Sequence, residues 1–460
     1  MTLNDFYLKL PHIAQDLACT AMGYRINQRR YAAAYGPLEA AVFDREWWPA
    51  EQLRAFANKR LQRTLCYAAK NVSYYRRLFR DIGIDPVDIK SPAHLSRLPM
   101  LTKSTVQAHL ADFCSQSANS NSCSTVKTSG TTGTGLVFPL TLEAEREQWA
   151  TAWRYRARFG ISRQQWYAHF FGKSVVPFAQ ERPPFWRINY VGKQVLFSAY
   201  HLKPRFLPYY IEELNRRRPP WIQGYPSILA VIAGYMLEHD AKLDYIPTVV
   251  MSSSESLLPH QRTIIEEAFG TRCRQLYSMT EAVASITECP EGRLHIDEDF
   301  SCVELIAVDS SCFRLVGTSY ANHAFPLIRY DTGDIVEMGT ELSCPCGRAG
   351  RVIASIDGRR EDYVVTPDGR KIGRLDHILK DMTFVRECQI CQTSTAAVTF
   401  RVVRALGYNA DHEARLVCEA KRRLGQELAI HVEYRDVLPR TARGKLRFVI
   451  STVGQRGRLL

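Results

Sequence analysis

Long apolar runs are missing from this sequence of 460 residues. Nowhere do about 18 consecutive apolar residues occur without a charge, which is the length that a membrane-spanning helix needs. The first residues carry Asp5, Lys9 and Asp16 where a signal peptide needs an uninterrupted apolar core. We therefore expect neither secretion nor a membrane span, and we expect a cytoplasmic protein.

A disulfide framework is missing as well. The 13 cysteines are an odd number and show no framework spacing, in a chain long enough to fold without covalent cross-links. We expect reduced thiols, and where cysteines cluster we expect metal ligands.

Signatures of several function classes are absent. The sequence has no fixed-period repeat, no long basic tail and no basic run interleaved with aromatics. The formal net charge of +13 therefore favours a solvated basic surface over a nucleic-acid groove, and it suits polyphosphate substrates such as ATP and coenzyme A. Neither Gly-x-Ser-x-Gly nor His-Glu-x-x-His occurs, so nothing indicates hydrolysis.

The composition indicates a globular protein with more than one domain. Hydrophobic residues make up 46% of the chain and charged residues 23%, which is enough apolar surface for a buried core. Helical periodicity predicts a mainly helical region within residues 1–110. Apolar β-branched runs then alternate with helical patterns, which is typical of an α/β domain.

A boundary near residues 357–361 separates a C-terminal segment with its own pattern. Apolar strands are predicted at 384–390 and 397–403, a helix at 411–424 and a strand at 428–434. These elements are sufficient for a small independent α+β lid domain.

A glycine-rich segment gives the strongest local signal. Residues 128–135 are Thr-Ser-Gly-Thr-Thr-Gly-Thr-Gly, directly before the apolar residues LVFPLTL. Glycines let a backbone approach a polyanion and hydroxyls add donors, so the segment suits a clamp on phosphate oxygens. An ordinary polar turn is the alternative, because no Gly-Lys-Ser/Thr ends the loop.

Four later segments favour the phosphate clamp. They are YSMTE at 277–281, YDTGD at 330–334, GRRED at 358–362 and LPRTARGK at 438–445. Together with the glycine-rich segment, this ordered set resembles the motifs of the adenylate-forming ligase superfamily. The resemblance implies an α/β N-terminal domain over residues 1–357, a hinge at 358–361 and a small α+β lid domain at 362–460.

Other segments are similar to one branch of that superfamily, the phenylacetate-CoA ligases and their relatives near capsule or coenzyme F390 synthesis. They are AAKNVSYYR at 68–76, LPMLTK at 98–103, GYPS at 224–227 and CPCGR at 344–348. The implied activity is ATP-dependent activation of a carboxylic acid to acyl-AMP, followed by transfer to coenzyme A. The alternative is an amide- or ester-forming ligase that transfers the acyl group directly to an amine or hydroxyl. The resemblance leaves a monomer or a homodimer open.

The resemblance also implies site residues. Lys445 would bridge the substrate carboxylate and the α-phosphate, Thr280 would contact the α-phosphate, and Glu281 would ligate Mg²⁺. A non-catalytic nucleotide-binding scaffold is disfavoured, because Glu281, Asp334 and Lys445 are all retained. The implied ATP-binding residues are Thr128, Ser129, Gly130, Thr131, Thr132, Gly133, Glu255, Tyr277, Asp334 and Arg359.

The identity of the acid stays open at this level. Aromatic side chains lie in the region where this branch builds its acyl pocket, so an aromatic carboxylate is one candidate. Burial in the core is the alternative role for most of them. They are Trp149, Trp153, Trp166, Tyr167, Phe170, Phe171 and Tyr225.

A second constellation consists of Cys289, His295, Cys344 and Cys346. Three thiolates and one imidazole suit tetrahedral Zn²⁺, and both pairs flank the strand-rich region before the boundary. Buried free thiols with a surface histidine are the alternative. The spacing Cys-x-Cys is less specific than Cys-x2-Cys, but the residue types favour a structural zinc site.

Overall fold

The structure is a computed structural model of the chain. It describes residues 6–32, 34–117, 123–128, 136–172, 175–339, 343–359, 363–368, 371–372, 375–379, 382, 384–440 and 446–453. None of the helices within these ranges combines the length and the apolar character needed to cross a membrane.

The α-helices of the described residues are numbered in chain order. They are α1 His12–Arg30, α2 Tyr35–Asp44, α3 Ala50–Asn71, α4 Ser73–Ile82, α5 Lys103–Ala108, α6 Leu142–Ala157, α7 Leu207–Arg217, α8 Pro226–Glu238, α9 Pro259–Phe269 and α10 Ala410–Leu424. Short 3-10 helices lie at Arg45–Trp47, Pro86–Asp88, Pro92–Arg97, Leu110–Phe113, Pro204–Phe206 and Leu375–Leu379.

The strands of the described residues are numbered in the same way. They are β1 Cys123–Lys127, β2 Val137–Thr141, β3 Tyr167–Phe170, β4 Trp186–Asn189, β5 Gln194–Phe197, β6 Trp221–Gly224, β7 Val249–Ser253, β8 Cys273–Ser278, β9 Ser285–Glu288, β10 Leu294–Ile296, β11 Ser301–Ala307, β12 Cys312–Ser319, β13 Tyr330–Glu337, β14 Val352–Ile353, β15 Ser355–Arg359, β16 Val364–Val365, β17 Lys371–Ile372, β18 Val385–Gln392, β19 Ala397–Arg404, β20 Ala429–Tyr434 and β21 Val449–Ser451.

The chain divides into two compact units. The first comprises residues 1–23, 164–274 and 358–460, and the second comprises residues 24–163 and 275–357. The division of the sequence into residues 1–357, a hinge at 358–361 and a lid at 362–460 stays a prediction.

The first unit contains a largely parallel sheet in the order β7-β6-β3-β5-β4, in which only the pair β4–β5 is antiparallel. Strands β6 and β7 are buried along their whole length, as expected for parallel strands covered on both faces. Helix α8 is almost wholly apolar and buried, and it contributes to the same core as β6.

The C-terminal part of the first unit has its own sheet, in the order β20-β19-β18-β21. Helix α10 packs its buried residues Leu416, Ala420 and Leu424 into the core of this sheet. Asn409 caps the helix by accepting a hydrogen bond from the His412 N–H. The strands and the helix predicted for this segment are therefore present.

The second unit combines helices α2 to α6 with antiparallel strands. Its sheets have the orders β14-β10-β9-β8 and β11-β12-β13-β15, and β1 and β2 form a separate antiparallel hairpin. Helix α3 buries residues at a spacing of three to four positions, which is the amphipathic pattern predicted for the N-terminal region. These elements agree with the predicted α/β fold class with a small α+β C-terminal domain.

Candidate active site

The motifs YSMTE and YDTGD meet in the second unit through one hydrogen bond. Tyr277 lies in β8 and Asp334 lies in β13, and the Tyr277 phenol donates to Asp334 Oδ2 at 2.6 Å. Burial raises the pKa of Tyr277 well above its usual value, and the carboxylate of Asp334 adds to this shift. The phenol therefore stays protonated as a hydrogen-bond donor.

The backbone around Asp334 is fixed by its own motif. The Asp334 N–H donates to Thr332 Oγ1 at 3.1 Å, and that hydroxyl donates to the Leu315 carbonyl at 2.8 Å. Asp331 forms an ion pair with Arg314. The motif thus ties β13 to β12 and holds Asp334 in a defined place beside Tyr277.

Thr280 and Glu281 form a turn directly after β8. Gln148 Nε2 of helix α6 donates to the Met279 carbonyl at 2.8 Å, and the Ala282 N–H donates to the same carbonyl at 3.1 Å. Ala282 has a positive φ of 55°, an uncommon conformation for a residue with a side chain. Strained backbone conformations concentrate at functional sites, so the φ of Ala282 agrees with a functional role for the turn that contains Glu281.

Gly317 in β12 lies directly against the backbone of Val283, which follows this turn. A Cβ placed on Gly317 would lie 2.1 Å from the Val283 carbonyl oxygen, so no larger residue fits there without moving the backbone. Sequence reasoning missed both Gly317 and Gln148. A glycine inside a strand pattern signals a close approach, but the sequence does not show to what.

The base of the glycine-rich segment lies at the end of the β1–β2 hairpin. The Thr128 N–H donates to the Leu136 carbonyl at 2.9 Å, and the Leu136 N–H donates to Thr128 Oγ1 at 2.9 Å. Thr128 itself is buried, with 6% of its surface exposed. Thr128, the first residue of the predicted phosphate-binding segment, is therefore paired with Leu136, the residue that directly follows the segment.

Several predicted site residues lie outside the described residues. The backbone of Arg359 ends β15, but its side chain is not described. The others are Ser129, Gly130, Thr131, Thr132, Gly133 and Lys445.

Glu255 lies just after β7 in the first unit and binds two backbone groups. Its Oε2 accepts from the Ser227 N–H at 3.2 Å and its Oε1 accepts from the Leu446 N–H at 2.9 Å. The preceding residue, Ser254, has a positive φ of 70°. The adenine-side role of Glu255 stays a prediction.

The four predicted zinc ligands come together in the second unit. One ligand atom from each of Cys289, His295, Cys344 and Cys346 lies within 4.8 Å of the other three. Cys289 Sγ is 3.7 Å from Cys344 Sγ, and Cys346 Sγ is 3.4 Å from His295 Nε2. Tetrahedral Zn²⁺ with bonds of about 2.0–2.3 Å separates its ligand atoms by about 3.3–3.8 Å, so these residues fit the ion.

The surroundings of the cluster orient His295 and keep its imidazole neutral. His295 Nδ1 lies 3.1 Å from the Gly350 carbonyl, which fixes the ring so that Nε2 faces the cysteines. Burial lowers the pKa of His295 and keeps the imidazole neutral. Gly350 has no space for a side chain, because a Cβ there would lie 2.3 Å from the Ile296 carbonyl oxygen.

The two cysteines of the CPCGR segment differ in the pKa of their thiols, because their cationic and thiol neighbours differ. Burial and the neighbouring Cys346 and Cys289 raise the pKa of Cys344 to about 12. Burial also acts on Cys346, but hydrogen bonds from Arg348 outweigh it and lower the pKa of that thiol. Arg348 in turn donates to Glu46, a residue that sequence reasoning did not connect with the cluster.

The seven aromatic residues are divided between the two units. In the first unit, Phe170 stacks on Phe197 and Tyr167 stacks on Trp221, so both belong to the core. Phe171 meets Tyr225 edge to face, with ring centroids 4.8 Å apart. In the second unit, the Trp153 indole donates to the Tyr31 phenol, and Arg30 lies over the Trp149 ring. Trp166 packs against the core of the first unit.

The chain is similar to several known proteins. The CapK C-terminal domain family matches residues 364–452. Protein CapK of Staphylococcus aureus is 26% identical over 458 residues, which is 98% of this chain and 100% of that protein. The phenylacetate-coenzyme A ligase of Thermus thermophilus is 24% identical and covers 70% of this chain and 73% of its own length.

A solved structure shares the fold. The crystal structure of 2-hydroxyisobutyryl-CoA ligase in the postadenylation state, bound to R3-HIB-AMP, superposes with a TM-score of 0.70 at 19% identity. The match covers 89% of this chain and 91% of that one. The fold predicted from the ordered motifs is the fold of this ligase.

Proposed function

We propose, on the premise that the chain belongs to the phenylacetate-CoA ligase-like branch of the adenylate-forming ligases, that it activates a carboxylic acid with ATP and transfers the acyl group to coenzyme A. The observation that carries the proposal is the contact between Tyr277 and Asp334. It brings together two motifs that the superfamily uses for ATP, with Thr280 and Glu281 three and four positions after Tyr277.

In the first half-reaction, a carboxylate oxygen of the acid attacks the α-phosphorus of ATP and pyrophosphate leaves. The Thr280 hydroxyl contacts the α-phosphate, and the segment that begins at Thr128 holds the β- and γ-phosphates. Glu281 would hold Mg²⁺, and the bound ion would neutralise negative charge on the phosphates. Lys445 bridges the acid and the α-phosphate, which brings the two anions together.

Recognition of the ribose falls to Asp334. Its Oδ2 accepts from Tyr277, so the carboxylate keeps one orientation toward the hydroxyls of the nucleotide. Arg359 approaches the ribose or the phosphates. We propose these roles together, because the resemblance to the adenylate-forming ligases assigns all of them to one bound nucleotide.

Coenzyme A is the proposed acceptor, because the Thermus thermophilus relative and three further relatives of 24–25% identity are phenylacetate-coenzyme A ligases. In the second half-reaction, the coenzyme A thiolate attacks the acyl carbon and AMP leaves. We propose residues 358–361 as the hinge about which residues 362–460 turn between the half-reactions.

A structural Zn²⁺ is part of the proposal. Cys289, His295, Cys344 and Cys346 would hold it, and the ion would connect β9 and β10 to the CPCGR segment. Four protein ligands leave no open position, so the ion stabilises the fold and takes no part in the reaction.

A pyrophosphate-release screen tests the proposed function. Aryl and aliphatic acids are supplied with ATP and Mg²⁺, with and without coenzyme A, amines and hydroxyl acceptors. We expect release with at least one acid and an acyl-CoA product. Turnover that requires an amine or a hydroxyl in place of coenzyme A would instead support the amide- or ester-forming alternative.

Lys445→Ala separates the half-reactions. We expect acyl-AMP formation to fall by several orders of magnitude, while thioester formation from synthetic acyl-AMP persists. Lys421→Ala, on helix α10 of the same domain, is the matched control and should change neither. Unchanged pyrophosphate release in Lys445→Ala would overturn the assigned role.

A further inference from the structure

The carboxylate of Glu255 joins two segments of the first unit that are distant in the sequence. One oxygen accepts from the Ser227 N–H in the first turn of α8, and the other accepts from the Leu446 N–H. Unpaired N–H groups at the start of a helix stabilise a carboxylate there. Glu255 is therefore held from the helix side and presents its second oxygen to the residue that follows Lys445 in the sequence.

Arg440 makes a second connection at the same place. Its Nη1 donates to Ser227 Oγ at 2.7 Å, and its Nη2 forms an ion pair with Glu387 of β18. The side chains of Arg440 and Glu387 are only 9% and 5% exposed. Burial raises the pKa of Glu387, and the guanidinium of Arg440 opposes this shift. A buried charge of this kind needs its partner, so the pair fixes where Arg440 lies.

The two connections hold Arg440 and Leu446, the residues on either side of 441–445. Arg440 and Leu446 face each other in an isolated antiparallel β-bridge. The five residues between them, 441–445, include Lys445 and are joined covalently to both. We call Ser227, Glu255, Glu387, Arg440 and Leu446 the clasp.

The backbone next to the clasp is strained. Ser254 has a φ of 70°, and this left-handed conformation is unfavourable for a residue with a side chain. Such residues concentrate at functional sites, where the surrounding structure holds them in place. The strain sits directly before Glu255, the residue that makes both backbone contacts.

We propose that the clasp positions the lysine motif for acyl-AMP formation, with Glu255 and Arg440 as positioning residues that act through Leu446 and Ser227. This inference rests on the proposed function of Lys445. A lysine side chain is a point charge on a long flexible stem, so its reach is set by where its backbone is fixed. The clasp fixes Arg440 and Leu446, the residues on either side of 441–445, which lowers the entropic cost of placing the ammonium group between two anions.

Amide hydrogen exchange tests the clasp without any substrate. Exchange of the Leu446 amide is followed by mass spectrometry in overlapping peptides. In Glu255→Ala we expect it to become at least tenfold faster, whereas Glu255→Gln keeps an acceptor oxygen and should stay within about threefold of the parent. Glu433→Ala, which removes an ion pair with Arg401 in the same sheet, is the control. Unchanged Leu446 exchange in Glu255→Ala would overturn the proposal.

The half-reactions distinguish a positioning role from a merely structural one. Ser227→Ala removes the hydroxyl that Arg440 contacts, and Arg440→Lys keeps a positive charge beside Glu387 while losing the forked geometry. We expect both variants to lower the rate of acyl-AMP formation at least tenfold and to change thioester formation from synthetic acyl-AMP less than threefold. Equal losses in both half-reactions, or none in either, would contradict the proposal.

The two failures are distinguishable. If the parent protein releases no pyrophosphate with any acid, the proposed function fails. The exchange experiment still decides whether the clasp holds Leu446.

Discussion

Arg348 donates a 2.5 Å hydrogen bond to Oε1 of Glu46, a residue 302 positions earlier in the chain. The same oxygen accepts from Arg158 at 2.5 Å, and Arg158 also donates to Thr287 of β9. The cysteine cluster is therefore tied to the helical part of the second unit from two directions. This arrangement makes the cluster a structural crosslink between segments of that unit.

The first prediction concerns metal content. We expect about one zinc per chain in protein prepared without chelator, measured by elemental analysis. Cys344→Ser should remove the ion and lower the melting temperature by roughly 5 °C or more, with little change in the ATP requirement. Cys418→Ser, at an exposed cysteine of α10, should change neither zinc content nor melting temperature. Protein without zinc would show that the four residues are ordinary thiols and an imidazole.

The second prediction concerns the contact between Tyr277 and Asp334. Tyr277→Phe removes a hydrogen bond to a carboxylate, which is worth about 1.5–3 kcal/mol. Without it Asp334 loses its fixed orientation, so we expect the KM for ATP to rise about tenfold and kcat to change less than about threefold. Steady-state kinetics of pyrophosphate release measure both.

Tyr75→Phe is the control for this experiment. Tyr75 is a buried tyrosine of the same unit that hydrogen-bonds the Pro326 carbonyl and the Ile328 N–H, two groups that belong to neither motif. Its loss should lower the melting temperature without changing the KM for ATP. An equal rise of KM in both variants would show that Tyr277 acts only through stability.

The third prediction concerns Gly317. A methyl group at this position would lie 2.1 Å from the Val283 carbonyl oxygen, and a backbone atom cannot yield cheaply. We expect Gly317→Ala to lower the free energy of unfolding by about 1–3 kcal/mol and to reduce acyl-AMP formation, because the turn with Glu281 must move. Chemical denaturation and kinetics measure the two effects.

Gly36→Ala in α2 is the control for Gly317→Ala, since nothing lies within 4 Å of a Cβ placed on Gly36. A Gly317→Ala enzyme that behaves like this control would contradict the prediction.

The fourth prediction concerns His260 in α9, a residue with only 2% of its surface exposed. Burial lowers its pKa from 6.5 to about 4, so the folded protein takes up a proton at lower pH than the unfolded chain does. Stability must fall as the pH drops from 6.5 towards 4, because the unfolded state then binds more protons. The loss at this one site amounts to about 3 kcal/mol.

Replacing His260 checks this sign. His260→Leu should flatten the decrease in unfolding free energy between pH 6.5 and 4.5, measured by urea denaturation. His431→Gln, at an exposed position in β20, should keep the slope of the parent protein. An unchanged slope in His260→Leu would show that other groups cause the acid sensitivity.

The sequence was sufficient for those parts of the protein that depend on local pattern. The C-terminal strands and helix follow from hydrophobic periodicity, and the four zinc-ligand candidates follow from residue types that share one chemistry. Their convergence within 4.8 Å agrees with that prediction. The order of five motifs was enough to predict a resemblance to adenylate-forming ligases, and the chain is similar to Protein CapK over 98% of its length and shares the fold of 2-hydroxyisobutyryl-CoA ligase.

Residues whose role depends on tertiary contacts could not be found in this way. Glu46 has no sequence relation to Arg348, and only folding brings them together. Arg440 stands inside a recognised motif, but its partners Ser227 and Glu387 come from two other segments. Ser254 carries a backbone conformation that its residue type does not indicate.

Thr128 and Leu136 pair at the end of the β1–β2 hairpin, so the residues between them can be exchanged independently of the hairpin. Five ladder pairs and two further hydrogen bonds set the strand register before residue 129 is reached. Lengthening a loop beyond such a pair is inexpensive, since doubling its length costs only about 0.6 kcal/mol in closure entropy. We therefore expect segments of other lengths and compositions between these two residues to leave the register of β1 and β2 unchanged, so that the sequence between them can vary while the hairpin stays the same.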